Sequence, residues 1–160
     1  MLIKKILIGI DNSKFAEHAA KYGFDIAKKF DAAVGLVHVV EPVAIPYTNT
    51  GDLIMGSSIQ EVGAVNNLEM MDIQNELSDN IIDATIKKFA GDIQVTHFSD
   101  FGDTADGIIN CSKEFKADLI VIGTHSRTGI DRLLMGSIAE HVVRHSEVPV
   151  LVVPLPDHSE

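Results

Sequence analysis

Tryptophan is missing from this chain, cysteine occurs once, and basic side chains are outnumbered by acidic ones, 13 to 23. Each scarcity excludes something. The lone Cys111 cannot close an internal disulfide, so the expected home is a reducing compartment, the cytoplasm. A formal net charge of −10 argues against a general binder of nucleic acid or anionic membrane, because both need a basic surface. No apolar run comes near the roughly 18 residues that span a bilayer. The opening Met1-Leu-Ile-Lys-Lys-Ile-Leu-Ile-Gly-Ile10 meets Asp11 after about five apolar residues, too few for the core of a signal peptide.

What is present describes a globular protein. Of 160 residues, 46% are hydrophobic and 22% charged, which suits one packed domain over 1–156 with a polar tail at 157–160. Ile6-Leu-Ile-Gly-Ile10 reads as a central strand covered on both faces. Asp11-Asn-Ser13 offers N-caps for a helix whose Phe15, Ala19, Tyr22, Ile26 and Phe30 fall at helical spacing. A second apolar strand runs from Ala32 to Val40. Residues 42 to about 64 have no clear period and read as a long loop, after which a helical pattern resumes from about Asn66 to Phe89. Leu68, Met71, Leu77, Ile81, Ala84 and Ile86 supply its apolar positions. Ile93-Gln-Val-Thr-His-Phe98 alternates, as an edge strand with one wet face does. Asp103 or Thr104 then caps a helix through Ile108, Ile109 and Phe115.

The organising stretch is Asp118 to Pro154. Leu119-Ile-Val-Ile122 is a short apolar strand, and a loop with glycines at 123, 129 and 136 follows it. Ser137-Ile-Ala-Glu140 opens an amphipathic helix, and Val148-Pro-Val-Leu-Val-Val153 is a second apolar run. Together these form a βαβ unit. A helix start after a glycine-rich loop presents unpaired N–H groups and a positive dipole end, which suits an anion such as phosphate at Gly136, Ser137 and Ile138. Ser137-x-x-Glu140 also has the form of a capping box, which would occupy the same hydroxyl. Neither Gly-x4-Gly-Lys-Ser/Thr nor Gly-x-Gly-x-x-Gly occurs, so no lysine stands ready for β- and γ-phosphates; Arg127 and Arg132 are the loop's cations.

Gly123-x2-Ser126-x9-Gly136-Ser137 resembles the Gly-x2-Gly-x9-Gly-Ser/Thr nucleotide-binding signature of the universal stress protein family, with Ser126 at the second glycine. The resemblance takes in nearly the whole chain, including Lys4-Lys-Ile-Leu-Ile-Gly-Ile-Asp11 and Val37-His-Val39. It implies an α/β fold: an open, doubly wound five-stranded parallel sheet of order 3-2-1-4-5, Rossmann-like, with helices on both faces. That order puts Asp11 and Gly123 on one crevice at the topological switch point. The resemblance also implies ligand contacts at Gly9, Asp11 and Ser126, an adenine edge at the backbone of Val39, and nucleoside packing on Ile122. The implied ligand is ATP or another adenine nucleotide, with Mg²⁺ between the phosphates. The implied role is that of a stress-responsive regulator rather than an enzyme, with weak ATPase activity at most.

Alternatives remain open at several residues. Asp11 can bond a ribose hydroxyl or a metal-bound water, or it can cap the first helical turn. If position 126 needs φ > 0, serine there costs about 1–2 kcal/mol and narrows the pocket; otherwise its hydroxyl is a further donor. The rival function is an interaction protein of the same fold with a vestigial pocket. His141 and His145 have zinc-compatible i,i+4 spacing, but no carboxylate or cysteine in the expected pattern completes a metal site. His38 and His125 read as packing or ligand-adjacent groups. No spacing supports a catalytic triad or a Cys-His pair, and Cys111 reads as an inert helical thiol. The wholly apolar run 148–153, as last strand, is expected at a sheet edge where a two-fold mate covers it, making a homodimer.

Overall fold

The computed structural model describes residues 2–42, 59–124 and 135–155, with the backbone alone over 59–67. Nine elements follow one another: β1 (Lys5–Gly9), α1 (Lys14–Phe30), β2 (Ala33–Val40), α2 (Ile59–Phe89), β3 (Val95–Phe101), α3 (Thr104–Phe115), β4 (Leu119–Gly123), α4 (Ser137–His145) and β5 (Val150–Val153). The strands form one sheet in the order β3-β2-β1-β4-β5, every neighbouring pair parallel. This is the doubly wound Rossmann-like architecture expected.

Alternation along the central strands explains their unbroken apolar runs. Ile6 and Ile8 join Val34 and Leu36 under α1 and α2, where Ala19, Ala20, Phe24, Ala27 and Ile82 close one core. Leu7 faces the other way and joins Val37, Val39, Ile120 and Ile122 beneath α3 and α4. Both faces of the central strands β1, β2 and β4 are therefore dry, while the edge strand β3 keeps Thr96, His97, Ser99 and Phe101 exposed. At the margin, Asp118 ties β4 to β1: its Oδ2 accepts from the backbone N–H groups of Lys4 at 2.8 Å and Lys5 at 2.9 Å.

Several sequence expectations are corrected. The face that α1 buries is Ala16, Ala19, Ala20, Gly23, Phe24 and Ala27, while Tyr22 and Phe30 are about half exposed. The reason is proximity to the sheet: a Cβ built at Gly23 would lie 2.5 Å from Ile8 Cδ1, so small residues must face inward. Helix α2 starts at Ile59 rather than near Asn66, running through Gly63 and the Asn66-Asn67 pair, where local propensity is poor. Leu68, Met71 and Leu77 stay exposed on it, and among its described side chains the buried ones are Ser78 and Ile82. Strand β3 is an edge strand but begins at Val95 and extends to Phe101. Strand β5 lies at the opposite edge and comprises Val150–Val153, with Val148 and Pro149 preceding it. Of the caps left open, Ser13 holds α1 through Ala16 N–H at 3.1 Å, and Asp103 holds α3 through Asp106 N–H at 3.0 Å.

Candidate functional site

The sheet order places β1 and β4 side by side while their following helices leave to opposite faces: α1 packs in one core and α4 in the other. The two exits diverge and leave a crevice at the carboxyl ends of the strands. A cavity of about 700 Å³ occupies it. Of the nine residues named from the sequence, eight line this cavity: Gly9, Asp11, Val39, Ile122, Gly123, Gly136, Ser137 and Ile138. The ninth, Ser126, lies outside the described residues, as do His125, Arg127 and Arg132.

The strand-end glycines are required by packing. A Cβ at Gly9 would sit 2.9 Å from Ile122 Cγ2 and 3.3 Å from Ile108 Cδ1. A Cβ at Gly123 would sit 2.9 Å from both the carbonyl carbon and the oxygen of Phe15. The second contact is with backbone, which cannot rotate away. These glycines let β1, β4 and the start of α1 close into one wall.

Asp11 is half committed. Its Oδ1 accepts from Ser13 N–H at 2.7 Å and shapes the turn into α1, while Oδ2 carries no hydrogen bond among the described residues. The turn reading of Asp11 is thus realised by one oxygen, and the other is left at the cleft.

The capping box at the start of α4 does not form. Gly136 is the N-cap and makes no side-chain cap bond; Ser137 is the first helical residue. Glu140 N–H donates to Gly136 carbonyl at 2.9 Å, and the Glu140 carboxylate pairs with Arg144 at 2.9 Å, on the far side from the cap. A capping box needs serine one position before the helix, and here glycine takes that place. Gly136 N–H is taken by the Thr124 carbonyl at 2.8 Å. The amides of Ser137, Ile138 and Ala139 precede the first closed turn, and the exposed Ser137 hydroxyl has no partner among the described residues.

One whole wall escaped the sequence reading. Met70, Ile73, Gln74, Leu77 and Ile81 of α2 line the cleft, and Thr104 lines it from the start of α3. Their i, i+3, i+4, i+7, i+11 spacing marks one helix face. Thr104 Oγ1 donates to Glu41 Oε1 at 2.7 Å across the rim. The buried His38 also lines the cleft, and its Nδ1 shares a hydrogen bond of 2.8 Å with Ser78 Oγ. His141 Nε2 instead meets Asp106 Oδ1 at 3.1 Å, and His145 Nδ1 meets the His141 carbonyl oxygen at 2.8 Å. Among the described residues, no three His, Cys, Asp or Glu side chains are grouped so as to hold a metal ion. Cys111 is buried on the inner face of α3, and desolvation, then Asp100 and Glu114, push its thiol up to about 11.

A parallel doubly wound sheet with its cleft at the β1/β4 switch point, flanked by a helix N-terminus, defines an α/β protein of the small-ligand-binding type. The chain belongs to the universal stress protein family, whose model matches residues 2–154. It is 36% identical over 160 residues to the universal stress protein MJ0531 of Methanocaldococcus jannaschii, covering 97% of this chain and 84% of that one. Among solved structures it resembles the M. jannaschii protein MJ0577 with a TM-score of 0.77 at 24% identity, covering 98% and 99% of the two chains. A universal stress protein of Archaeoglobus fulgidus in complex with dAMP shares the fold at a TM-score of 0.58 and 18% identity, covering 95% and 98%.

Proposed function

We propose that the cleft binds an adenine nucleotide, ATP or a close relative, and that the protein acts as a stress-responsive regulator in the cytoplasm. One observation carries this reading: uncommitted polar groups for an anion and apolar strand-end walls for a base converge on one cavity. The amides and hydroxyl at Ser137 and Ile138, without partners among the described residues, suit phosphates at the α4 dipole end. Val39 and Ile122 offer an apolar bed for the base, and Asp11 Oδ2 suits a ribose hydroxyl or the water shell of a phosphate-bound Mg²⁺. A volume of about 700 Å³ lies within the range of small-molecule sites. A relative of the same fold has been solved with dAMP.

Hydrolysis is slow at most in this reading, since the loop sequence carries no Walker lysine to neutralise a leaving phosphate. The assembly is a homodimer through residues 148–153, where the half-buried Val150, Leu151 and Val152 stand on the β5 edge. A monomer by sedimentation at tens of micromolar would refute that assembly. Ser126 favours the rival reading of a vestigial pocket. Calorimetric titration with ATP separates the two: the wild type should bind, and Gly136→Val, which puts a branched side chain at the phosphate approach, should lose most affinity with its circular dichroism spectrum intact. Absence of binding by the wild type would refute the nucleotide reading.

A further inference from the structure

The described side chains of helix α2 are largely exposed ahead of its first enclosed contact. Of its side chains from Leu68 to Leu77 none is buried, with Leu68, Ile73 and Leu77 each more than half exposed. Among its described side chains the first buried one is Ser78, which is fully enclosed, and the next is Ile82 one turn later. Yet the exposed part supplies Met70, Ile73, Gln74 and Leu77 to the cleft wall. Among the described residues, the enclosed contact nearest that wall is the one Ser78 makes.

That contact is polar. Ser78 Oγ bonds His38 Nδ1 at 2.8 Å in the middle of β2, and Ser99 Oγ at 3.1 Å on the edge strand β3. Leu36, two residues before His38 on β2, and Ile82, four residues after Ser78 on α2, belong to the aliphatic core between strand and helix, where a methyl-bearing residue would have packed without a partner. A hydrogen bond is directional, so it fixes both the rotation and the axial position of the helix, whereas aliphatic contact permits sliding. A fully satisfied buried pair of this kind specifies one packing.

We propose that the His38–Ser78 bond is the pin that positions the α2 wall, and that His38 is a positioning residue for the base end of the bound ligand. The anion end lies at α4, across the cleft, and does not depend on this pin. The assignment of ligand ends rests on the nucleotide reading above. The placement of the helix does not.

The test uses the full-length protein, Ser78→Ala, and His38→Asn, whose amide can occupy the place of Nδ1. Hydrogen exchange without ligand should show faster exchange over 70–77 in Ser78→Ala, unchanged exchange over 19–27 of α1, and partial restoration of the wild-type pattern only where the amide bond survives, in His38→Asn. In calorimetry, Ser78→Ala should weaken ATP binding about tenfold, the worth of one net hydrogen bond, and leave inorganic tripolyphosphate binding within about twofold. Unchanged exchange over 70–77 would overturn the pin. Equal loss of ATP and tripolyphosphate affinity would overturn the base-end role, because general loosening moves both. If the wild type binds no ATP, the nucleotide reading fails, and the exchange experiment alone decides the pin.

Discussion

Replacing Gly123 with alanine should destabilise the protein through a collision with backbone. The new Cβ would stand 2.9 Å from the carbonyl carbon and oxygen of Phe15 and 3.0 Å from its Cβ. Relief needs a retreat of about half an ångström by the first turn of α1, whose next turns are locked on the sheet by the buried Ala16, Ala19 and Ala20. Overpacking of this sort costs about 1–3 kcal/mol, and the entropy that alanine removes from the unfolded chain returns about 0.4–1 kcal/mol. The net loss is about 1–2 kcal/mol. At about 2–4 °C per kcal/mol for a chain of this size, the melting temperature should fall by about 2–8 °C.

Calorimetric or circular dichroism melts of the two proteins measure this directly. A Phe15→Ala background sharpens the test. That substitution keeps all three colliding atoms, so the two effects should add. A melting temperature that is unchanged or raised in Gly123→Ala would refute the reasoning. Rescue of Gly123→Ala by Phe15→Ala would show that the ring, not the backbone, is crowded.

Asp118→Ala removes the acceptor shared by Lys4 and Lys5 N–H and should cost about 1.5–3 kcal/mol, read as a lower urea midpoint; an unchanged midpoint would count against the clamp. With Cys111 raised from 9.0 to about 11, native alkylation at pH 8 should run about a hundredfold slower than alkylation of the unfolded chain. Because the folded state holds that proton more tightly, Cys111 contributes stability below about pH 9 that is lost as pH rises towards about 11. Cys111→Ala should remove this part of the alkaline decline in denaturant midpoint, and an identical decline in both proteins would refute it. Ser126→Gly should change ATP affinity by less than about tenfold if the loop is adapted to serine; binding gained only in the glycine variant would establish a vestigial pocket.

The strands were readable because burial on both faces demands unbroken apolar runs, and Ile6, Leu7 and Ile8 alternate between two cores in a way no helix would need. The face of α1 was not, because hydrophobic pattern weighs Tyr22 and Phe30 above alanine. Close helix-to-sheet packing inverts that weight: the residues that approach Ile8 must be Gly23 and alanines, and the large ones are displaced to the rim. The start of α2 was obscured by Gly63 and two asparagines, and with it went the cleft wall of Met70, Ile73 and Leu77. A wall made by an exposed helix face has no sequence mark beyond helical spacing.

The cleft itself was legible for a reason that weakens part of its own signature. Gly9 and Gly123 stand where the expected pattern puts ligand-contacting residues, but Ile122, Ile108 and the Phe15 backbone already require glycine at both positions. Their presence would survive in a protein that bound nothing. The discriminating groups are those without a hydrogen-bond partner among the described residues: Asp11 Oδ2, the Ser137 hydroxyl, and the amides ahead of the first closed turn of α4. A serine freed from its capping box by Gly136 has no structural duty among the described residues. Polar groups at a helix N-terminus that the fold does not consume keep their capacity for an anion, and the weight of the nucleotide reading therefore falls on Gly136, Ser137 and Asp11 rather than on the glycines at the strand ends.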